Sequence, residues 1–403
     1  MIATLRKYFS PVHYTDEQLN FLQILKPLYI LLSFLGLFPQ GIQFSDGTQN
    51  ITKTSKISIN LACSFLTIVT THVFFILHLL ELNASSKENT MTEDYVTEMT
   101  YTICLVLQMF VCTVSYFCAI RDRNMYIIML NSMADYWNAL AKGQKRQILG
   151  RLRVKVNCVV LGAMLVLFHL LSVVTYTGTS DIWKNILISL TFNLLELIQW
   201  AVIAFYFVMI LMVVALLQNI EEEFRVISDP RNLRFVSVKA YLGHDIVFLR
   251  DMYVRTMDIK RQVNAAFQAQ ILVALAMTFH ELVSTGHLVY HGLSYQSDFT
   301  PHDVAECCCW VLNQFVKLYI LGQSGSLLKS QVNRIGRIIH NIPSGHQDFE
   351  VYLMVQHFST LMTYQEATLT IYGYFSLDAS LLFNIVVSAV MYLVIMVQFD
   401  RPE

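Results

Sequence analysis

Three ionisable side chains stand inside long apolar stretches of the sequence: Glu196, Glu281 and Lys317. A charge within a membrane-length apolar run costs at least about 2.5 kcal/mol, so such groups face a protein interior and find partners there. Amides, imidazoles and an indole accompany them: Gln108, His169, Gln199 and Trp200 beside Glu196, His280 beside Glu281, and Asn313 and Gln314 beside Lys317. Counted from the outer end of each apolar run at ~1.5 Å per residue, all of them fall ~15 to 20 Å below one surface and make a polar layer. A few convergent polar groups between aromatic walls are the ordinary form of a small-ligand site. The same residues also suit a structural use, with Lys317 paired to Glu196 or Glu281 to fix packing and Trp200 as bundle filler or interface anchor.

Other chemistry finds no support. His287 and His291 share a helical face and His280 and His302 lie near them, but no acidic third ligand is placed with them, so neither a metal nor a metalloenzyme is expected. Cys307, Cys308 and Cys309 point in three directions around a helix, and Cys63, Cys104, Cys112, Cys118 and Cys158 read as small hydrophobes within spans. Glycine-rich phosphate loops and nucleophile motifs are absent from the sequence, and its basic runs belong to loops and not to a nucleic-acid surface. No enzyme and no cofactor is expected.

The elements that position the layer follow from hydropathy. The chain has 403 residues, of which 55% are hydrophobic and only 14% charged, and its mean hydropathy is +0.49. That is well above an ordinary globular chain, and most of it is expected in lipid. Residues 1–56 carry no signal peptide but contain a short apolar run, Leu28 to Phe38 between two prolines, too short to cross and expected to lie at the membrane surface. Six spans are expected near 57–81, 98–120, 155–178, 185–220, 262–291 and 303–329. The loop from Arg121 to Lys155 is rich in arginine and lysine, which places it in the cytoplasm together with the N-terminus. Asn83-Ala84-Ser85, on the opposite side, is a glycan acceptor. The fourth and fifth spans continue inward as amphipathic helices, and a cytoplasmic helix at 347–368 precedes one last span.

That last element, 369–399, holds a charge-free stretch from Ala379 to Phe399, long enough to cross the ~30 Å hydrocarbon core. Asn384, Ser388, Met391, Ile395 and Gln398 recur at spacings of four and three, hence on one face. A face that begins polar, turns apolar and ends in an amide suits a water-filled path, or equally an amide bonded to another helix.

The run Met391-Tyr392-Leu393-Val394-Ile395-Met396-Val397-Gln398-Phe399 resembles the C-terminal signature of insect gustatory receptors: Thr-Tyr, five apolar residues, then Gln-Phe, with Met391 here in place of the threonine. Gly373-Tyr374-Phe375-Ser376-Leu377-Asp378, Leu381-Leu382-Phe383 and Gly336-Arg337-Ile338-Ile339-His340 resemble the same family. These motifs cover the last quarter of the chain. The resemblance implies an all-α membrane protein with seven transmembrane helices, the N-terminus inside, cytoplasmic helix extensions forming an anchor, and a final helix lining a central tetrameric pore in the plasma membrane of a sensory neuron. It further implies a tastant-gated, poorly selective channel for monovalent and divalent cations, a homotetramer or a heterotetramer with related receptors. Gln398 and Phe399 would form the gate, Ile395 and Met391 the neck below it, and Asn384 and Ser388 the wider path. Asp400 and Glu403, in 400–403, would attract cations at the outer mouth. A sugar and a bitter compound both fit the polar layer as ligand, and a metabotropic seven-helix receptor is the alternative.

Overall fold

The computed structural model describes residues 21–43, 52–53, 59–88, 95–140, 145–177, 182–228, 239–295, 300–342 and 349–399. Eleven described α-helices follow one another: α1 (Lys26–Phe34), α2 (Ile59–Glu88), α3 (Tyr95–Arg121), α4 (Arg123–Ala139), α5 (Lys145–Thr177), α6 (Ile182–Ile188), α7 (Leu194–Ser228), α8 (Lys239–Tyr295), α9 (Pro301–His340), α10 (Phe349–Tyr364) and α11 (Ala379–Phe399). Among the described residues six stretches are long and apolar enough to cross a membrane: Ile59–Asn83, Met99–Arg121, Ile186–Ser228, Asp245–Ser294, Pro301–His340 and Ala379–Gln398. Helix α5 contains the third expected span, and no charged residue follows Lys155 within it. The architecture is that of an all-α, multi-pass membrane protein.

Helix α7 is the hub, buried nearly all round and packed against α5, α8 and α9. A helix apolar on every side has no solvent face, and here its neighbours take the place of solvent. At its N-terminal end the chain passes from α6 into α7 through a π-helical turn, Ser189–Asn193. Helix α8 runs for 57 residues and α9 for 40, so both extend beyond a bilayer's need. Thr300 and Asp303 form a reciprocal capping box at the start of α9, with Pro301 at the first helical position.

The structure differs from the sequence reading in three places. The Leu28–Phe38 run folds as α1 and a following turn, and Leu28, Leu32, Leu35, Leu37 and Phe38 are all buried in protein. Only Ile30 and Phe34 among its large apolar side chains are well exposed, so most of this run packs into the bundle. Gly36, at φ 71°, makes the turn, with its carbonyl bonded by Ser64 Oγ at 2.5 Å. Phe38 then meets Phe205 of α7 and Tyr126 of α4.

The basic loop from Arg121 to Lys155 is largely helical. Tyr126, Met129, Leu130, Met133 and Trp137 repeat every three or four residues and bury one face of α4 against α7 and α8. Finally, 369–399 is not one helix. Among the described residues β1 (Ile42–Gln43) pairs with β2 (Thr52–Lys53), and 369–399 opens with a hairpin of β3 (Thr370–Ile371) and β4 (Phe375–Ser376), whose turn places Tyr372 at φ 49° and Gly373 at φ 75°. Positive φ is free for glycine and strained for tyrosine. Helix α11 begins only at Ala379, after Asp378 accepts hydrogen bonds from the Ser380 amide and hydroxyl. Those bonds hold the Asp378 carboxyl below the usual carboxylate range.

Candidate functional site

Four helices bring the polar layer together. Glu196, Gln199 and Trp200 lie one turn apart at the start of α7, Asn313 and Lys317 one turn apart on α9, Glu281 on α8 and Gln108 on α3. Lys317 Nζ lies 2.6 Å from Glu196 Oε1 and 3.7 Å from Glu281 Oε2, and donates to Gln199 Oε1 at 2.7 Å. Asn313 Nδ2 donates to Glu196 Oε1, and Asn313 Oδ1 accepts from the Trp200 indole N–H at 2.8 Å. Gln108 Nε2 donates to Glu281 Oε1 at 3.0 Å, and Gln199 Nε2 to the Ala274 carbonyl of α8 at 3.1 Å. Lys317 and Glu196 are wholly buried. One ammonium between two carboxylates in a dry bundle is tolerable only because these amides share the charge.

The network is incompletely satisfied. Among the described residues, Gln108 Oε1, Glu196 Oε2 and both amide atoms of Gln314 are buried without a hydrogen-bond partner, as is His280 Nε2, which stands apart from the network. Such atoms are few in native proteins and mark places for water or a ligand. His169 falls in α5 where side chains are not described. No group of three or more His, Cys, Asp or Glu that could hold a metal occurs among the described residues.

The second arrangement is α11. Among its described side chains only Leu381 and Ala389 are buried, and the helix touches the bundle through α8 and α9. Tyr392 meets Phe279 edge-on with centroids 5.5 Å apart, and Leu393 packs on Gly286. Asn384, Ser388, Met391, Ile395 and Gln398 are all exposed. Asn384 and Ser388 also border a 420 Å³ cleft shared with Leu275 and Phe279 of α8 and Phe375 of the hairpin. The Phe399 side chain, Asp400 and Glu403 lie outside the described residues. Asn83 is exposed in the last turns of α2.

Two functional-looking groups carried no signal in the sequence reading. His78 of α2 joins α3 to the π turn: Thr191 donates to the Leu187 carbonyl at 2.6 Å, so His78 Nδ1–H donates to Thr191 at 2.7 Å and Nε2 accepts from Tyr101 at 3.1 Å. Glu221 of α7 is buried, accepting from Gln331 at 2.6 Å and Arg225 at 2.6 Å with Arg334 at 3.0 Å. A lone histidine in an apolar run and a glutamate in an acidic triplet look ordinary until their partners are placed.

Comparison with known proteins gives the family and the fold. The family model described as 7tm Chemosensory receptor matches residues 25–401. Gustatory receptor 68a of Drosophila melanogaster is 27% identical over 149 residues, 36% of this chain and 38% of that protein. Gustatory and pheromone receptor 32a of the same organism is 23% identical over 163 residues, 40% of this chain and 35% of that protein. The chain thus matches well under half the length of these relatives. The structure of the insect olfactory receptor OR5 from Machilis hrabei in complex with eugenol superposes with a TM-score of 0.71 over 96% of this chain and 100% of that one, at 13% identity. The ligand-free OR5 structure gives the same score at 12% identity. At such identity the likeness is one of fold.

Proposed function

The chain belongs to the 7tm chemosensory receptor family, and we propose on that premise that it is one subunit of a tetrameric cation channel opened by a small-molecule tastant. The observation that carries this reading is the exposed face of α11. Helix α2 is also largely uncovered, but between Phe65 and Leu80 its exposed side chains, Phe65, Leu66, Val69, Val73, Ile76 and Leu80, are apolar and suit lipid. Helix α11 instead exposes Asn384, Ser388 and Gln398 along one line. Amides facing hydrocarbon lose their hydrogen bonds, so this face belongs against water or other polypeptide. One helix encloses nothing; a ring of copies does.

In this reading Asn384 and Ser388 line the inner path, Met391 and Ile395 narrow it, and rings of Phe399 close it by excluding water, with Gln398 replacing them in the open state. Asp400 and Glu403, repeated around the mouth, raise the local cation concentration. With no charged ring in the neck, selectivity among cations is poor. The ligand enters the outer half of the bundle and engages the unsatisfied atoms of Gln108, Glu196 and Gln314, with His169 and His280 at its edge. It opens the pore only to the extent that it binds the open arrangement more tightly. The fold neighbour solved with eugenol is consistent with a small organic ligand.

The test is the purified full chain in excised or planar bilayers, screened against a panel of sugars and bitter compounds. Ligand-evoked cation current without nucleotide or G protein is expected. Responses that appear only when GTP and a G protein are supplied would overturn the reading in favour of a metabotropic receptor.

A further inference from the structure

Helix α8 carries three side-chain donors at successive four-residue intervals, Lys260, Asn264 and Gln268, and all three reach backbone oxygens of the segment joining α10 to α11. Lys260 Nζ donates to the carbonyls of Glu366 and Thr368, both at 2.8 Å. Asn264 Nδ2 donates to Thr370 O at 2.7 Å, and Gln268 Nε2 to the same oxygen at 3.4 Å. Four residues of α-helix advance ~6 Å and two residues of extended chain ~6.6 Å. The similar rises let the strap lie along the helix, with Lys260 bonded to carbonyls 366 and 368 while Asn264 and Gln268 share carbonyl 370.

The far end of the strap is fixed to α9. A Cβ on Gly325 would lie 1.6 Å from Leu377 O, and one on Gly322 2.8 Å from Asp378 O. The chain leading into α11 is thus held between two helices, at one end by hydrogen bonds and at the other by backbone contact. Lys260 is only 6% exposed and forms no ion pair among the described residues. A desolvated ammonium satisfied by carbonyls is a costly way merely to fill space. The same helix carries the Ala274 carbonyl that Gln199 holds ~20 Å further along and Glu281 ~30 Å further along, at ~1.5 Å per residue.

We propose that Lys260, supported by Asn264 and Gln268, is the positioning residue through which α8 couples the polar network to α11. The proposal rests on the channel reading. A displacement of α8 by changes around Glu281 and Gln199 reaches the strap through these bonds, and the strap carries it into the first turn of α11. Asn264 and Gln268 then limit sliding of β3 while the Gly322 and Gly325 contact serves as the pivot.

A coupling cycle tests it without an identified ligand, using sodium conduction by the purified full chain in planar bilayers. Phe399→Ala serves as the opened control. Gln199→Ala is expected to shift the basal open probability by about tenfold, the effect of one charge-assisted hydrogen bond. In a Lys260→Met background that shift is expected to fall below about twofold, and Lys260→Arg, which keeps two donors, is expected to restore it. A merely structural lysine would lower protein yield without altering the Gln199→Ala shift. An equal shift in both backgrounds, or none in either, would overturn the proposal. Should Lys260→Met not assemble, Asn264→Leu takes its place with the same expectation. If even the Phe399→Ala chain passes no sodium, the channel reading itself fails, and the coupling role falls with it.

Discussion

Lys317 and Glu196 form a fully buried ion pair, 2.6 Å between Nζ and Oε1, joining α9 to α7 in the middle of an apolar bundle. Removing one partner leaves the other charge buried, a loss of about 3–5 kcal/mol. Lys317→Met is therefore expected to lower the melting temperature of the detergent-solubilised protein sharply. Glu196→Gln with Lys317→Met is expected to cost less than the sum of the single changes, because Glu196 then carries no unmatched charge and only Glu281 has lost its cation. Fluorescence-detected thermal melts of the four proteins check this, and simple additivity would show that the pair is not coupled.

The approach of Leu377 O to Gly325 admits no side chain. Gly325→Ala is expected to push the hairpin from α9 and to abolish a monodisperse assembled particle on size exclusion. Among the described residues no atom lies within 4 Å of where a Cβ on Gly162 of α5 would stand, so Gly162→Ala is expected to be neutral or to stabilise by up to about 1 kcal/mol through helix propensity. Equal behaviour of the two variants would contradict the close approach.

Asp378 caps α11 through the Ser380 amide at 2.9 Å. Asp378→Ala is expected to cost about 1 kcal/mol, and Asp378→Asn, which keeps the acceptor, only a fraction of it. Hydrogen exchange at the first turn of α11 reads the difference directly: faster exchange in the alanine variant alone is the expected pattern.

Phe399→Ala removes the aromatic closure assigned to the outer end of α11. Basal current without ligand is expected to rise while surface expression stays level. A variant that remains silent at rest and gates normally would place the constriction elsewhere.

Much of this was legible in the sequence for a definite reason. Glu196, Glu281 and Lys317 betray themselves because a charge in an apolar run must be explained, and the polar line of α11 because its spacing is helical. What stayed hidden depended on partners that no side-chain pattern encodes. Lys260 reaches backbone carbonyls, and His78 needs Thr191 and Tyr101 from two other elements. The buried stripe of α4, from Tyr126 to Trp137, was masked by the arginines and lysines around it. Those charges locate the segment relative to the membrane, but they say nothing of what its apolar side packs against.

The proposed water-filled path along α11 is probed most directly by placing a cysteine at Ser388 and exposing open channels to a water-soluble, positively charged methanethiosulfonate. The unmodified chain, with its own exposed Cys158, Cys308 and Cys309, is the control. Rapid, irreversible loss of current in Ser388→Cys but not in the control is the expected result. Full current after exposure, with Ser388→Cys protein labelled no faster than a cysteine on the lipid-facing side of α2 at Val69, would contradict a pore lined by this helix.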